Sequence, residues 1–351
     1  MLTKLERIKS FSFLGDVLNN YINQKEDDFK FKELIETAVK QAEIFNPWFT
    51  KENINTMLKT IASYLDEQTL ESWLNKYQLS DKKNPSVIAV VMAGNIPLVG
   101  FHDFLCILLS GNKILCKMSS EDKILLPSLC EILFSFNPEW KNLIEFTEDH
   151  IKNFDAVIAT GSNNTSRYFE YYFSSYPNII RKNRNSIAIL SGNESLEDLE
   201  KLSDDIFLYF GLGCRSVSKL YVPKDYQFKS LIDASSKYRS YIYHNKLLNN
   251  YEYNKAIYLI NQIEFIDGDF FLLKNDSSLT SPISCLYYEY YNNIDDVKKI
   301  ISDSASQIQC VVACSDYNTD SVSYGNSQFP SLNEYSDNID TMEFLTTLKK
   351  S

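Results

Sequence analysis

The chain is poor in the residues that metal sites and disulfide frameworks need. Its 351 residues include only three histidines, and none of its seven cysteines stands in a CxxC pair. An odd number of cysteines also argues against a framework of paired disulfides. We therefore predict no metal site, and we expect reduced thiols, as in a cytoplasmic protein.

Other absences exclude further classes of protein. No uninterrupted apolar run reaches about 18 residues, the length of a membrane span, and the start MLTKLERIKSF lacks a signal-peptide core. The chain carries 35 Lys and Arg against 46 Asp and Glu, a net charge of -11, with no basic tract. We therefore expect neither a membrane span nor binding to nucleic acid. The fingerprints GxGxxG and GxxxxGK[ST] of common nucleotide-binding loops are missing as well.

What the chain does have is an alternation of apolar strands and helices behind a helical first segment. From residue 85 onward, β-branched runs such as SVIAVV and DAVIAT alternate with helical patterns. This alternation predicts parallel, doubly wound α/β sheets, and the length favours two such domains. We predict the following parts: an N-terminal helical segment (1–84), a Rossmann-like nucleotide-binding domain (85–192), a second α/β domain (193–325) and a tail (326–351) that packs back on the first domain.

Three candidate binding motifs follow predicted strands, where parallel sheets bind their ligands. They are Asn95 after SVIAVVMAG, Lys117 with Ser119 and Ser120 after KILC, and Gly161 with Ser162 after DAVIAT. An amide at such a place can hold an oxyanion, a lysine can bind phosphate or ribose oxygens, and a Gly-Ser pair opening a helix suits a phosphate. Each motif also has a purely structural interpretation. Asn95 would be a turn residue, Lys117 an exposed lysine at a strand end, and Ser162 a helix cap.

The stretch FGLGCRSVSK, residues 210–219, holds a cysteine at a bend between a predicted helix and a predicted strand. A nucleophilic thiolate needs stabilisation and room for an electrophile. Gly211 and Gly213 permit close backbone approach, and Arg215 could stabilise an anion. The alternative is that Cys214 is a buried, inert thiol, as isolated cysteines commonly are.

The order of these motifs resembles that of a known superfamily. AGNIPL, CKMSS, ATGS and FGLGC are similar to the P-W-N-F-P-like turn, the K-P-[SA]-[ES] strand end, the F-T-G-S turn and the G-Q-x-C loop of aldehyde dehydrogenases. The longer stretches AGNIPLVGFHDF, ATGSNNTSRYFEYYF, IIRKNRNSIAIL and DDIFLYFGLGCRSVSKLYVP resemble the LuxC-type acyl-CoA reductases, over about 85 to 325. A weaker resemblance continues in QFPSLNEYSDNIDTMEFL.

The resemblance implies an aldehyde dehydrogenase-like fold: two doubly wound α/β domains with a cleft between them. The chain is short for that superfamily, so its oligomerising hairpin is expected to be reduced or lost. A homo-oligomer and an acyl-transfer partner both stay open.

The resemblance also implies a role for each motif. Cys214 attacks the carbonyl of an acyl-CoA substrate, a fatty one in this family, while the Asn95 amide and the Cys214 N–H hold the oxyanion. CoA leaves, and hydride from a nicotinamide cofactor reduces the enzyme thioester to an aldehyde. Lys117 contacts the adenosine ribose or its 2′-phosphate, and Gly161 and Ser162 lie near the pyrophosphate.

Two departures from the superfamily pattern sharpen the expected reaction. Hydrolytic aldehyde dehydrogenases carry a glutamate base in an E-L-G-G-K-like stretch, whereas the matching IRKNRN, residues 180–185, contains no acid. Without that base the thioester is spared from water, which favours acyl-CoA reduction over aldehyde oxidation. Ser120 stands where an acid often repels a 2′-phosphate, so we predict NADPH as cofactor rather than NADH.

Two competing functions stay open at this point. One is a cysteine-dependent acyltransferase or thioesterase, which would consume acyl-CoA without oxidising a nicotinamide cofactor. The other is a non-catalytic acyl-CoA or nucleotide-binding protein, in which replacing Cys214 would leave ligand affinity intact.

Overall fold

The computed structural model describes residues 2–24, 30–79, 84–314 and 321–348, which cluster into two compact units. Unit 1 comprises Met1–Lys182 and Ser331–Ser351, and unit 2 comprises Asn183–Pro330. Each unit is built around one mainly parallel sheet. The predicted α/β class with parallel sheets and an N-terminal helical segment is therefore confirmed.

Unit 1 begins with four helices: α1 (Lys4–Asn23), α2 (Lys32–Phe45), α3 (Lys51–Tyr64) and α4 (Glu67–Leu74). Polar side chains cap α1, α3 and α4, since Thr3, Thr50 and Asp66 each accept a hydrogen bond from a backbone N–H of the first turn. The buried faces of these helices are part of the apolar core of unit 1. There the Phe11 ring meets Trp140 edge-on, with ring centres 5.6 Å apart.

The sheet of unit 1 contains the strands predicted from SVIAVV, KILC and DAVIAT. Its elements are β1 (Val87–Val91), α5 (Phe101–Leu109), β2 (Lys113–Lys117), α6 (Leu125–Phe136), a 3₁₀ turn (Pro138–Asn142), β3 (Ile144–Thr147), β4 (Ala156–Thr160), α7 (Asn163–Phe173) and β5 (Asn178–Arg181). All neighbours pair in parallel, in the order β3-β2-β1-β4-β5. The β1 side chains Ile88, Ala89 and Val90 are buried, as expected for a strand covered on both faces.

Unit 2 holds a six-stranded sheet in the order β11-β6-β7-β10-β9-β8. Its elements are β6 (Asn185–Ile189), α8 (Leu196–Phe207), β7 (Val217–Pro223), α9 (Lys229–Ala234), α10 (Asn245–Ile260), β8 (Ile266–Asp267), β9 (Leu272–Asn275), β10 (Cys285–Tyr291), α11 (Ile294–Asp303) and β11 (Ile308–Val312), with 3₁₀ turns at Leu208–Gly211, Ser235–Tyr243 and Ala305–Gln307. Among the strands that the structure describes in this sheet, only β8 and β9 pair antiparallel.

The division between the units differs from the sequence-based boundary at residue 192. The strand β6, within the SIAILS run, pairs with β7 and β11 and so belongs to the second sheet. The chain leaves the first sheet at Arg181, where β5 ends. A short apolar run shows that a strand exists, but its partners come from distant parts of the sequence, so the pattern alone does not assign it to a sheet.

The last described segment returns to unit 1 from Ser331 onward. It contains a 3₁₀ turn (Ser336–Asn338) and α12 (Thr341–Thr347). The Tyr335 hydroxyl accepts a hydrogen bond from Trp73 Nε1 at 3.0 Å, and the Tyr77 hydroxyl donates to Asp340 at 2.7 Å. Met342 and Leu345 are fully buried. Polar and apolar contacts together therefore hold this segment to the rest of unit 1.

Candidate active site

Cys214 lies in a tight turn of unit 2, directly before β7. The preceding residues Tyr209, Phe210 and Gly211 all have left-handed backbone angles, with φ of 55, 57 and 72°. Left-handed conformation is costly for the two aromatic residues, and only Gly211 adopts it without strain. The sequence pattern predicts a helix over residues 196–210, whereas α8 ends at Phe207 because the backbone reverses there. After this strained reversal Cys214 is half-buried.

Hydrogen bonds within the turn and from β6 fix the nucleophile candidate. Ser216 N–H donates to the Gly213 carbonyl at 3.0 Å, and Gly213 N–H donates to Ser216 Oγ at 3.2 Å. The fully buried Ser186 hydroxyl, on β6, donates to the Cys214 carbonyl at 3.0 Å. The backbone that carries the thiol is thus held from both sides.

A buried brace connects this turn to residues 325–328. The Gln328 amide donates to Ser216 Oγ at 3.2 Å and to the Asp205 carbonyl at 3.4 Å. The Asp205 carboxylate accepts the N–H groups of Gly325 and Ser327, at 2.6 and 2.8 Å. Burial raises the pKa of Asp205 to about 6, although these N–H groups oppose the rise. Sequence reasoning missed this brace; its only signal was the faint family resemblance that starts at Gln328.

A second thiol lies beside the Cys214 turn. Cys310 Sγ is 3.0 Å from Ser186 Oγ, and because that hydroxyl donates to the Cys214 carbonyl, the Cys310 thiol is the donor in this contact. Burial raises the pKa of Cys310 to about 11, although the nearby Arg215 lowers it. Cys310 is therefore a protonated thiol at neutral pH, and it serves as a structural neighbour rather than a second nucleophile.

Asn95 lies in unit 1, exposed in the turn between β1 and α5. The turn ends at Leu98, whose φ of 53° is left-handed, and Leu98 N–H donates to the Asp122 carboxylate at 2.8 Å. Gly94 packs so closely against the next loop that a Cβ there would lie 2.4 Å from Ser119 Oγ. The Asn95 turn is therefore built against the loop that follows β2.

The candidate cofactor residues lie at the carboxyl ends of adjacent strands in the same unit. Lys117 ends β2, and its ammonium donates to the backbone carbonyls of Glu148 and Asp149 at 3.4 and 3.0 Å. Ser119 is half-buried, and Ser120 is exposed. Since β2, β1 and β4 are neighbours, the structure brings this loop, the Asn95 turn and the Gly161–Ser162 turn to one edge of the sheet.

The Gly161–Ser162 turn after β4 opens α7. Ser162 Oγ accepts the Thr165 N–H at 3.2 Å, so the serine caps this helix. A Cβ at residue 161 would lie 2.9 Å from the Phe169 ring and 3.0 Å from the Thr165 side chain, so only glycine fits without displacement. The glycine thus lets the turn pack closely against the first turns of α7, and the exposed start of that helix is a geometry that accepts phosphate.

The segment that lacks the glutamate base contains a buried ion pair instead. Arg181, at the end of β5, pairs with Asp103 of α5 through two hydrogen bonds, one of them Nη2–Oδ1 at 2.9 Å. Arg181 Nη2 also donates to the Thr341 hydroxyl at 3.0 Å. Burial lowers the pKa of Arg181, but the Asp103 carboxylate outweighs it and raises the pKa overall. Arg181 is thus structural, and the sequence offered no signal for its partner.

Unit 2 also contains a cavity of about 460 Å³ at the carboxyl ends of β6 and β11. Its lining includes Ser191, Glu194 and Tyr324. The Glu194 carboxylate is already engaged by the Ser191 N–H and hydroxyl. Cys214 precedes β7, which runs parallel to β6, so this cavity and the cysteine lie at opposite ends of the sheet.

The described part of the chain contains neither a membrane-spanning helix nor a cluster of metal-ligating side chains. None of the helices that the structure describes is long and apolar enough to cross a membrane. Over the same residues, no group of three or more His, Cys, Asp or Glu side chains is arranged to hold a metal ion. The prediction that the chain has no metal site stays a prediction.

The fold is that of aldehyde dehydrogenases. The chain is similar to the indole-3-acetaldehyde dehydrogenase AldA of P. syringae, solved with NAD+ and IAA, with 11% identity, 89% of this chain and 72% of that chain covered, and a TM-score of 0.62. Aldehyde dehydrogenase KauB of Pseudomonas aeruginosa matches over the same shares with 12% identity and a TM-score of 0.63. AldC of Pseudomonas syringae, solved with NAD+ and octanal, does so with 9% identity and a TM-score of 0.63. Identities this low show the fold alone.

Within that fold class the family is defined by sequence. The family model described as acyl-CoA reductase (LuxC) matches residues 12–231, more than half of the chain. The chain therefore belongs to the LuxC acyl-CoA reductase family, and the predicted family resemblance is confirmed. A comparison with curated protein sequences found no match.

Proposed function

We propose that this protein uses NADPH to reduce a fatty acyl-CoA to the corresponding aldehyde, through a thioester on Cys214. The observation that carries the proposal is the turn of Cys214: a half-buried cysteine follows a strained left-handed backbone, and the backbone of its turn is held by hydrogen bonds with Ser186 and Ser216. A structural thiol needs no such arrangement, whereas a nucleophile must be held in place.

The first half of the reaction uses the residues of this chain alone. The Cys214 sulfur loses its proton and forms a bond to the acyl carbonyl carbon. The bond from that carbon to the sulfur of CoA breaks, and the CoA sulfur takes up a proton, so that CoA leaves as its thiol. Negative charge develops on the carbonyl oxygen, where the Asn95 amide and the Cys214 N–H donate hydrogen bonds. The IRKNRN segment brings no carboxylate base for water, and its Arg181 is locked in the pair with Asp103.

The second half needs a reduced nicotinamide nucleotide, which supplies a hydride when it is bound. The residues that would hold it are Lys117, Ser119 and Ser120 on the ribose side and Gly161 with Ser162 at the pyrophosphate. The missing Cβ at residue 161 and the exposed start of α7 suit this group. Exposed Ser120 brings no charge against a 2′-phosphate, which supports NADPH over NADH. The aldehyde forms when the carbon–sulfur bond to Cys214 breaks and the sulfur takes a proton.

The test is a spectrophotometric assay with acyl-CoAs of increasing chain length. We expect oxidation of NADPH, slower oxidation of NADH, and loss of both in Cys214→Ser. Cys314→Ser is the matched control, because Cys314 is an exposed thiol of the same unit and its replacement should leave the rate unchanged. Consumption of acyl-CoA without oxidation of either cofactor would instead identify an acyltransferase or thioesterase.

A further inference from the structure

Asp122 is a buried carboxylate with no role in the reaction proposed above. Its side chain is almost fully buried, at 6% exposure, and Oδ2 accepts the Leu98 N–H at 2.8 Å. Burial raises the pKa of Asp122 to about 6, although the N–H groups of Leu98 and Leu125 oppose the rise. A carboxylate is costly to bury, so its presence under this turn calls for a structural reason.

That reason lies in the backbone of the Asn95 turn. Leu98 adopts a left-handed φ of 53°, which is unfavourable for a residue with a branched side chain. Its carbonyl accepts the Phe101 N–H at 2.9 Å at the start of α5, so the conformation of Leu98 decides how the turn passes into the helix. A strained residue persists only where its surroundings hold it, and Asp122 supplies a hydrogen bond to it.

Asp122 is also tied to the candidate cofactor loop. Its own N–H donates to the Ser119 carbonyl at 3.3 Å, and the two residues form an isolated antiparallel bridge. The same loop carries Ser119 Oγ, against which Gly94 packs without room for a Cβ. One residue therefore connects the backbone of the Asn95 turn with that of the loop at 119–122.

We propose that Asp122 is a positioning residue that fixes the turn of residues 95–98 and thereby orients the Asn95 side chain. The catalytic consequence rests on the proposed function of Asn95, whereas the hydrogen bond to Leu98 does not. Asp122 itself touches neither substrate nor cofactor; it acts through the backbone of the turn.

Hydrogen exchange tests the tie independently of any activity. In Asp122→Ala the Leu98 amide loses its acceptor, so peptides that cover residues 93–100 should exchange at least about tenfold faster than in the wild type. Asp122→Asn keeps a side-chain oxygen and should retain most of the protection. Asp155→Ala is the matched control, because Asp155 accepts the Val87 N–H at 2.7 Å at the opposite end of β1. Asp155→Ala should leave the exchange rate of the peptides that cover residues 93–100 unchanged.

Kinetics test the consequence for catalysis. If Asp122 acts through Asn95, Asp122→Ala should lower kcat by about 10- to 100-fold, less than the loss of a whole oxyanion donor, with little change in KM. In the Asn95→Ala background, Asp122→Ala should not lower kcat any further. In the otherwise wild-type protein, Asp122→Asn should keep most of the wild-type kcat. The proposal would be overturned if the Leu98 amide exchanged equally slowly in Asp122→Ala and in the wild type. It would also be overturned if the losses of kcat from Asp122→Ala and Asn95→Ala were additive in the double variant. If the wild type reduces no acyl-CoA, the proposed function fails, while hydrogen exchange still decides the role of Asp122.

Discussion

The buried ion pair between Asp103 and Arg181 gives the sharpest stability prediction for unit 1. The Arg181 and Asp103 side chains are only 5 and 9% exposed, so Asp103→Ala leaves a guanidinium buried with the Thr341 hydroxyl as a remaining partner. Removal of one member of such a pair costs about 3–5 kcal/mol of unfolding free energy. With a urea m-value of about 2–3 kcal/mol/M, the unfolding midpoint should fall by roughly 1–2.5 M.

The assay can isolate unit 1 because all three tryptophans, Trp48, Trp73 and Trp140, belong to it. Urea unfolding followed by tryptophan fluorescence therefore reports on the unit that contains the pair. Glu170→Ala is the matched control: it breaks an exposed pair with Lys182 in the same unit, for which we expect a change below about 1 kcal/mol.

The double replacement of Asp103→Leu and Arg181→Met separates two contributions to the unfolding free energy, the burial of an unpaired charge and the packing of the side chains. It removes both charges, so it should destabilise less than Asp103→Ala alone. A midpoint for Asp103→Ala within about 0.3 M of the wild type would refute the reasoning, since the predicted loss corresponds to several times that shift. A double variant less stable than the single one would refute it as well.

Two further predictions concern the candidate site. Burial raises the Asp205 pKa from 3.8 to about 6, so the folded state gains from its protonation at low pH and loses that gain as pH rises through 6. The unfolding free energy of Asp205→Asn minus that of the wild type should therefore rise by about 2 kcal/mol between pH 4 and 7, measured by circular dichroism in urea; a difference that does not vary with pH would contradict this. Gly94→Ala places a Cβ 2.4 Å from Ser119 Oγ and should weaken NADPH binding at least about fivefold in a fluorescence titration. Gly100→Ala, whose Cβ would meet only the flexible Met92 side chain at 3.1 Å, should bind as the wild type does, and equal affinities for both variants would count against a cofactor role for the loop.

The sequence predicts the part of the fold that depends on local pattern. The runs VIAVV, KILCK and AVIAT are strands because continuous β-branched and apolar residues fit a sheet that is covered on both faces. From those strands alone, the placement of Asn95, Lys117 and Gly161 at one sheet edge follows, since parallel strands end at the same side. The predicted family and fold class are confirmed, whereas the roles of these residues remain proposals.

The rest depends on contacts between distant positions. Arg181 lies 78 residues from Asp103, and Gln328 lies 112 from Ser216, so no local spacing announces either pair. The left-handed aromatic Tyr209 contradicts its own local preference, and the surrounding structure must impose it. Such features are visible only once the chain is folded.

The most direct test of the central claim is the mass of the protein after exposure to an acyl-CoA without cofactor. If Cys214 is the nucleophile, intact-mass spectrometry should show one added acyl group, and peptide mapping should place it on Cys214. Addition of NADPH should then remove the group and release the aldehyde. The Cys314→Ser variant should acylate as the wild type does, and Cys214→Ser should not acylate at all. A chain that stays unmodified, or that carries the acyl group on another cysteine, would contradict the account.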